Sequence, residues 1–270
     1  MKQAMIFAAG LGTRLKPLTD KVPKALVRVG GEPLLKHTVL RLKDAGFTRI
    51  VVNVHHFSEQ IVDYLKSNNH FDMDIRISDE TEALLETGGG VKKAIPLFDN
   101  DFPILIHNVD ILDNLDYEWF ARQHLATEDA LLLVSRRKTK RYLLFDHSMR
   151  LMGWTNVETG EIRSPFAWLR ASRLTIDDSL NVHLDDHPQS AHLSTLYAFA
   201  FSGIHLFSPR LFPLMDKFPD RFSIMDFYLQ TCHRAQIYGC VKDDLRILDV
   251  GKQESLEEAE KFLKTITNNR

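Results

Sequence analysis

The sequence predicts an α/β fold: a mainly parallel, mixed sheet with helices on both faces and an inserted, hairpin-rich lid. Three observations carry this. Strand and helix patterns alternate through the first half of the chain, the rhythm of βα units that build a parallel sheet. Several strands are unbroken apolar runs, such as "ILIH" and "ALLLVS", which suits strands covered on both faces. After Ser135 the alternation stops. Residues 141–190 carry short alternating runs, scattered Gly and Asp, and no long amphipathic helix.

The elements follow in order. Gln3 to Ala9 is a short apolar strand closed by glycine, and Pro33 to Ala45 has helical spacing (Leu34, Leu35, Val39, Leu42) that stops at Gly46. Arg49 to Val54 is a second strand, Glu59 to Leu65 a second helix, and Met73 to Ile77 a third strand. Val91 to Ile95 belongs to a helix, Phe102 to His107 is a fourth strand, Leu115 to Leu125 a helix, and Ala130 to Ser135 another buried strand. Regular order returns with the long strand Leu196 to Phe207 and helices near Pro209–Met215 and Ile224–His233. Leu245 to Val250 is a last strand, and Glu254 to Ile266 a closing helix rich in Glu and Lys. No repeat or linker separates two folding units, so residues 1–270 are expected to form one domain, with 136–195 as the lid-like insertion.

Composition narrows the function. A chain of 270 residues, 44% hydrophobic and 26% charged, is ordinary for a globular protein with a sizeable core. The net charge of −2 argues against a general nucleic-acid binder, which carries a basic excess. No apolar run approaches the roughly 20 residues of a membrane helix, and Met5-Ile6-Phe7 leads straight into a strand without signal-peptide regions. Cys232 and Cys240 have no zinc-like spacing, so reduced thiols in a cytoplasmic protein are expected. The oligomeric state is left open.

The stretch from Ala8 to Leu26, "AAGLGTRLKPLTDKVPKAL", lies just beyond the first strand, where ligands of parallel sheets bind. Gly10 and Gly12 remove side chains, so that backbone N–H groups can converge on an anion. Arg14 and Lys24, the latter on a turn restrained by Pro23, add cations that suit several phosphates in a row. The competing explanation is a plain glycine turn with solvated basic residues. A P-loop string is absent. A dinucleotide fingerprint needs a third glycine where Leu15 stands, Pro17 interrupts the segment, and the second strand ends at Asn53-Val54-His55 without an acid for a ribose.

At these residues the chain resembles the sugar-1-phosphate nucleotidyltransferases, whose signature is Gly-x-Gly-Thr-Arg followed by Pro-Lys. Further matches fall in family order: "GGEPLLKH" at 30–37, "LLETGGGV" at 84–91, "NVD" at 108–110, "FSGIHLF" at 201–207 and "LDVGKQESLEEA" at 248–259. The motif set looks most similar to the short bacterial enzymes of N-acetylmuramate-1-phosphate uridylyltransferase and mannose-1-phosphate guanylyltransferase type. The resemblance implies the Rossmann-like nucleotide-diphospho-sugar transferase fold. The chain stops soon after the Asp249 motif, so the hexapeptide β-helix of longer relatives is expected to be missing.

The resemblance also implies a reaction, in which a sugar 1-phosphate oxygen attacks the α-phosphorus of a nucleoside triphosphate and pyrophosphate leaves. Such chemistry rests on positioning and charge neutralisation, and the chain shows no convincing Ser-His-Asp or Cys-His constellation. By resemblance, Arg14, Lys24 and Asp110 are catalytic. Ala8, Ala9, Gly10, Gly12, Thr13, Arg14, Lys24, Gly88 and Gly89 would hold the nucleotide, and Glu86, Thr87, Asn108 and Gly203 the sugar side. Asp110 and Asp249 each stand at a strand end, and two hard oxygen ligands there suit Mg²⁺. An isolated Asp at such a place is otherwise a helix cap. Glu86 to Gly90 is expected as a backbone-rich loop that enters its helix at Val91.

Relatives tend to have glycine or serine where Val109 stands, so a narrower space beside the ribose is expected. Asn53, His55 and His56 could line the same rim, Arg170, Arg173 and Asp226 are weaker sugar-site candidates, and Asp185, Asp186, His187 and His192 raise a zinc alternative. The glycine-rich run supplies mainly backbone, which favours UTP with N-acetylmuramate 1-phosphate or a similar sugar phosphate. Glu80 and Glu86 keep GTP with mannose 1-phosphate open. Two other classes share some features: a nucleotide-sugar glycosyltransferase, which would not need Arg14 and Lys24, and a non-catalytic nucleotide-sugar sensor.

Overall fold

The computed structural model describes residues 2–184 and 196–267. Strand β1 (Gln3–Phe7) leads into a loop of short 3₁₀ turns, the small ribbon β2 (Arg28–Val29) and β3 (Glu32–Pro33), and helix α1 (Leu34–Asp44). The βα rhythm continues with β4 (Arg49–Val54), α2 (Ser58–Ser67), β5 (Asp74–Asp79), α3 (Glu86–Ala94) and β6 (Ile104–Asn108). Then come β7 (Ile111–Asp113), α4 (Tyr117–Gln123) and β8 (Ala130–Ser135). The segment after β8 holds β9 (Arg141–Phe145), β10 (Leu151–Asn156), β11 (Glu161–Arg163), α5 (Ala167–Ala171), β12 (Leu174–Ile176) and β13 (Asn181–Leu184). The chain closes with β14 (Leu196–Phe207), α6 (Phe212–Met215), α7 (Ile224–Thr231), β15 (Ile237–Val241), β16 (Ile247–Asp249) and α8 (Ser255–Thr267).

The centre of the sheet is parallel, in the order β5-β4-β1-β6. Strand β14 lies antiparallel beside β6, β8 antiparallel beside β14, and β15 parallel to β8. Both faces are covered, and alternation along the strands shows it. Ala4 and Ile6 of β1 pack with α1 residues Leu35, Val39 and Leu42, while Met5 packs with Val91 of α3 and Phe227 of α7. That is why the central strands are continuously apolar rather than alternating.

The structure departs from the sequence expectations in several places. The last strand is only Ile247–Asp249, and it leaves the main sheet to pair antiparallel with β7, Ile111 opposite Asp249. The helix expected over Leu115–Leu125 is Tyr117–Gln123, because Asp116 caps it by accepting the Trp119 N–H at 2.9 Å. Strands β7 and β15 have no counterpart in the sequence expectations. The segment after Ser135 does form hairpins, but they prolong the sheet. Strand β9 pairs with the first half of β14, with Tyr197 opposite Phe145. Both cysteines are free thiols, and burial pushes them up to about 12 for Cys232 and about 11 for Cys240, which keeps them protonated and unreactive. Among the described residues, no helix is long and apolar enough to cross a membrane.

Candidate active site

The loop after β1 is held from beneath by one side chain. Asn53, buried at the end of β4, accepts the N–H of Ala8 at 2.7 Å and of Ala9 at 3.4 Å through Oδ1, and donates through Nδ2 to Glu80 Oε1 at 2.8 Å. The other Glu80 oxygen accepts the Leu85 N–H at 3.2 Å, and burial pushes the Glu80 carboxyl above its ordinary range. Ala8 and Ala9 thus have their backbone donors turned inward. Gly10 is exposed, and a Cβ placed on it would meet nothing within 4 Å. Gly12 is different: its φ of 62° is left-handed, its carbonyl accepts the Leu15 N–H, and a Cβ there would lie 2.8 Å from Thr19. Thr13, the next residue, is exposed at the start of the turn Thr13–Leu15.

Cations and carboxylates then meet in pairs. The Lys24 ammonium donates to Asp110 Oδ2, both side chains being largely buried. Arg14 Nη2 lies 3.7 Å from Asp249 Oδ2, both being about half exposed. The β7–β16 ribbon brings the two acids together, since Asp110 precedes β7, Asp249 ends β16, and the Val250 N–H donates to the Asp110 carbonyl at 2.8 Å. Burial and the neighbouring Asp110 carboxylate raise the Asp249 carboxyl above its ordinary range, against the opposing pull of Lys24 and Arg14. Gly251 keeps the space between them open, since a Cβ there would come 2.6 Å from both Arg14 Nη2 and Asp249 Oδ1.

Asn108 and Gly203 also come together. Gly203 has a φ of 80° at an irregularity in β14, and a Cβ on it would strike the Asn108 amide at 2.8 Å. Val109 does not narrow the cleft. Its side chain turns inward at the end of β6 and is buried in the core, while its N–H donates to the Phe7 carbonyl at 3.2 Å.

The "ETGGG" run is not a loop ahead of its helix. It is the first part of α3, which starts at Glu86 and is stitched to the segment before α7. The N–H groups of Gly88 and Gly89 both donate to the Phe222 carbonyl, at 2.9 and 3.1 Å, and Thr87 Oγ1 accepts the Ile224 N–H at 2.9 Å. A Cβ on Gly89 would lie 2.0 Å from the Asp220 carbonyl oxygen. These glycines permit close packing, so a helix continues through residues of low propensity because its neighbour demands it. Glu86 pairs with Arg221 at 3.0 Å on the surface.

The remaining candidates scatter. His55 Nδ1 lies 2.7 Å from the Glu80 carbonyl oxygen, and the His56 ring packs on Phe57. Asp226 pairs with Arg163 of β11, Arg170 donates to the Ser164 carbonyl at 2.7 Å, and Arg173 lines a separate cavity of about 720 Å³ formed by residues between Arg136 and Leu180. Asp185, Asp186, His187 and His192 lie outside the described residues. Sequence reasoning passed over Arg137, whose guanidinium donates to the Phe201 carbonyl at 3.0 Å and lies within electrostatic reach of Asp249. No spacing rule links it to the signature loop.

An exposed glycine loop, two cations and two carboxylates thus meet at the C-terminal edge of a parallel sheet. The chain belongs to the nucleotidyl transferase family, whose model matches residues 3–144. It is 44% identical over 115 residues to N-acetylmuramate alpha-1-phosphate uridylyltransferase of Neisseria meningitidis serogroup B, covering 43% of this chain and 49% of that protein. It is 36% identical over 126 residues to mannose-1-phosphate guanyltransferase of Saccharomyces cerevisiae, covering 46% of this chain and 35% of that one. The chain thus spans about half the length, or less, of the curated relatives it matches. Among solved structures, the inositol-1-phosphate CTP transferase from T. maritima superposes with a TM-score of 0.72 at 14% identity, over 98% of this chain and 96% of that one. HddC from Yersinia pseudotuberculosis, complexed with GMP-PN, superposes at 0.65 and 23% identity, over 97% and 100%. Both likenesses establish the Rossmann-like fold of nucleotide-diphospho-sugar transferases.

Proposed function

We propose that this protein transfers a nucleoside monophosphate from a nucleoside triphosphate to a sugar 1-phosphate and releases pyrophosphate. The observation that carries the reading is the pairing of Lys24 with Asp110 and Arg14 with Asp249 at one sheet edge, the two cations lying on the same loop as the open Gly10 in sequence. Two substrates that are both anions repel each other. The Arg14 guanidinium and the Lys24 ammonium offset that repulsion along the triphosphate, and Gly10 lets phosphate oxygens come close to the backbone. The sugar phosphate is already ionised, so its oxygen needs no base, and no covalent intermediate is required. Asn108 and Gly203 would border the sugar.

Asp110 and Asp249 would hold Mg²⁺. The donor set fits it, because Mg²⁺ takes one or two carboxylates and completes its shell with waters and phosphate oxygens. Among the described residues no group of three or more His, Cys, Asp or Glu forms a metal site. When bound, Mg²⁺ supplies positive charge to the phosphoryl oxygens.

For the substrate we favour UTP with N-acetylmuramate 1-phosphate or a similar sugar phosphate, in the cytoplasm. Two facts support uracil over guanine. Identity is higher to the uridylyltransferase than to the guanyltransferase. The two acids that would serve guanine are engaged, Glu80 by Asn53 and Leu85 and Glu86 by Arg221. The test is a matrix of nucleoside triphosphates against sugar 1-phosphates, read by pyrophosphate release and product mass. Predominant GDP-sugar would refute the uridine reading, and no pyrophosphate from any pair would refute the reaction.

A further inference from the structure

Four polar side chains, Arg41, His107, Asp113 and Tyr117, form a cluster around β6 and β7, the strands that flank Asp110. His107 and Asp113 are fully buried and Tyr117 is 2% exposed. Asp113 Oδ2 accepts from Arg41 Nη1 at 2.7 Å and from the Tyr117 hydroxyl at 3.0 Å, and lies 3.1 Å from His107 Nε2. Its other oxygen accepts the Leu115 N–H at 2.8 Å. Arg41 reaches in from α1, donates to the Leu115 carbonyl at 2.7 Å, and lies with its guanidinium 4.6 Å from the Tyr117 ring centre.

Burying charge in this way gains nothing over apolar packing, since well-packed apolar side chains of similar volume often do as well or better. The cluster does something apolar groups cannot: it has direction. Arg41 and Asp113 already satisfy each other. His107 extends the pair toward the cleft, with Nδ1 2.8 Å from the Asn108 carbonyl oxygen. That carbonyl opens the turn Asn108-Val109-Asp110. The backbone fixes the rest of the turn, through Val109 N–H to Phe7 and Val250 N–H to the Asp110 carbonyl. Asp113 itself ends β7, opposite Ile247 of the strand that carries Asp249.

We propose that His107 is a positioning residue, which ties the turn bearing Asp110 to the buried Asp113–Arg41 pair and so fixes the spacing of the two carboxylates. The imidazole sets its two nitrogens on different edges of a rigid ring, Nδ1 2.8 Å from the Asn108 carbonyl oxygen and Nε2 3.1 Å from both Asp113 Oδ2 and the Tyr117 hydroxyl. A flexible glutamine amide does not reproduce both contacts. This inference rests on the proposed metal role of Asp110 and Asp249.

The experiment compares wild type, His107→Gln and Tyr117→Phe. Mn²⁺ affinity without substrates is measured by calorimetric titration, alongside steady-state kinetics and thermal melting. His107→Gln is expected to weaken Mn²⁺ binding and lower kcat by about 10- to 100-fold, the usual scale for groups that orient metal ligands, with KM for the triphosphate within about twofold. Tyr117→Phe removes one hydroxyl from the cluster and is expected to give the same pattern at a smaller amplitude. A folded His107→Gln protein with wild-type Mn²⁺ affinity and kcat overturns the proposal. If that variant does not fold, Tyr117→Phe decides: unchanged Mn²⁺ affinity and kcat in it count against the cluster, and losses in both support it. Failure of the wild type to bind Mn²⁺ overturns the metal reading and this inference together, whereas normal wild-type binding with unaffected variants overturns this inference alone.

Discussion

Replacing Gly10 by alanine should separate a glycine kept for the ligand from one kept for the fold. In the structure Gly10 is exposed, its φ lies outside the left-handed region, and a new methyl would touch nothing within 4 Å. Folding should therefore tolerate it. A Gly→Ala change at a compatible site stabilises by about 0.4–1 kcal/mol, through the unfolded chain, which amounts to a melting temperature about 1–4 °C higher. Function should suffer. If a phosphate oxygen approaches this backbone, the methyl displaces it and costs one hydrogen bond to a charged group, about 1.5–3 kcal/mol. That corresponds to a loss of about 10- to 150-fold in kcat/KM for the triphosphate. Gly12→Ala is the control, because its left-handed φ and the 2.8 Å approach to Thr19 make alanine strained there, and it should melt several degrees lower. Thermal melting and pyrophosphate release on the same samples give both numbers. Unchanged kcat/KM in Gly10→Ala would refute a phosphate at Gly10, and a clear drop in its melting temperature would refute the openness of the position.

Other expectations follow from the same geometry. Asp110→Asn and Asp249→Asn should each remain folded and lose at least about 100-fold in turnover, the scale of losing a transition-state charge partner; near-normal turnover with Mg²⁺ present would remove that residue from the mechanism. Arg14→Ala and Lys24→Ala should impair use of the triphosphate far more than binding of the nucleotide sugar, which lacks the β- and γ-phosphates of the triphosphate; equal losses, measured kinetically and by calorimetry, would show a shared contact instead. Gly89→Ala drives a methyl to 2.0 Å from the Asp220 carbonyl and should cost about 3 kcal/mol, or roughly 6–12 °C in melting; a wild-type melt would show that α3 can slide. Asp113, lowered to about 2 from 3.8 with Arg41 and His107 outweighing its burial, contributes about 2 kcal/mol that is present above pH 3.8 and lost as pH falls toward 2; urea unfolding of wild type and Asp113→Asn should show their gap narrowing over that window, and a constant gap would refute the ionised pair.

The strands that proved easiest to see were those whose residues alone determine their state. Arg49–Val54 and Ala130–Ser135 are mostly β-branched or aliphatic and match the observed strands end for end. The "ETGGG" run shows the opposite case. Three glycines argue locally against a helix, and only the Phe222 carbonyl and the Asp220 backbone, far along the chain, explain why one forms there. Strand β7 is three residues long, and its partner β16 comes from the other end of the sequence, so no local pattern announces it. The signature loop was legible because its residues are contiguous. Its engagement with Asp110 and Asp249 was anticipated only as a shared edge, not as cation–carboxylate pairs. The His107–Asp113–Tyr117–Arg41 cluster was illegible because Arg41 arrives from α1, at no fixed spacing from the others.

The β7–β16 ribbon bears on how the molecule can be divided. The segment matched by the family model, residues 3–144, contains Arg14, Lys24 and Asp110 but neither Asp249 nor Gly203. A fragment ending there would keep most of the parallel strands and yet present β7 as a bare edge, with Asp110 and Lys24 lacking the opposing acid. Helix α8 packs on β7, β16 and β2, so the C-terminal helix backs the ribbon that carries Asp249. A split-protein reporter or a truncation series would accordingly be expected to recover function only when residues up to the end of α8 are supplied, whether on the same chain or as a complementing piece.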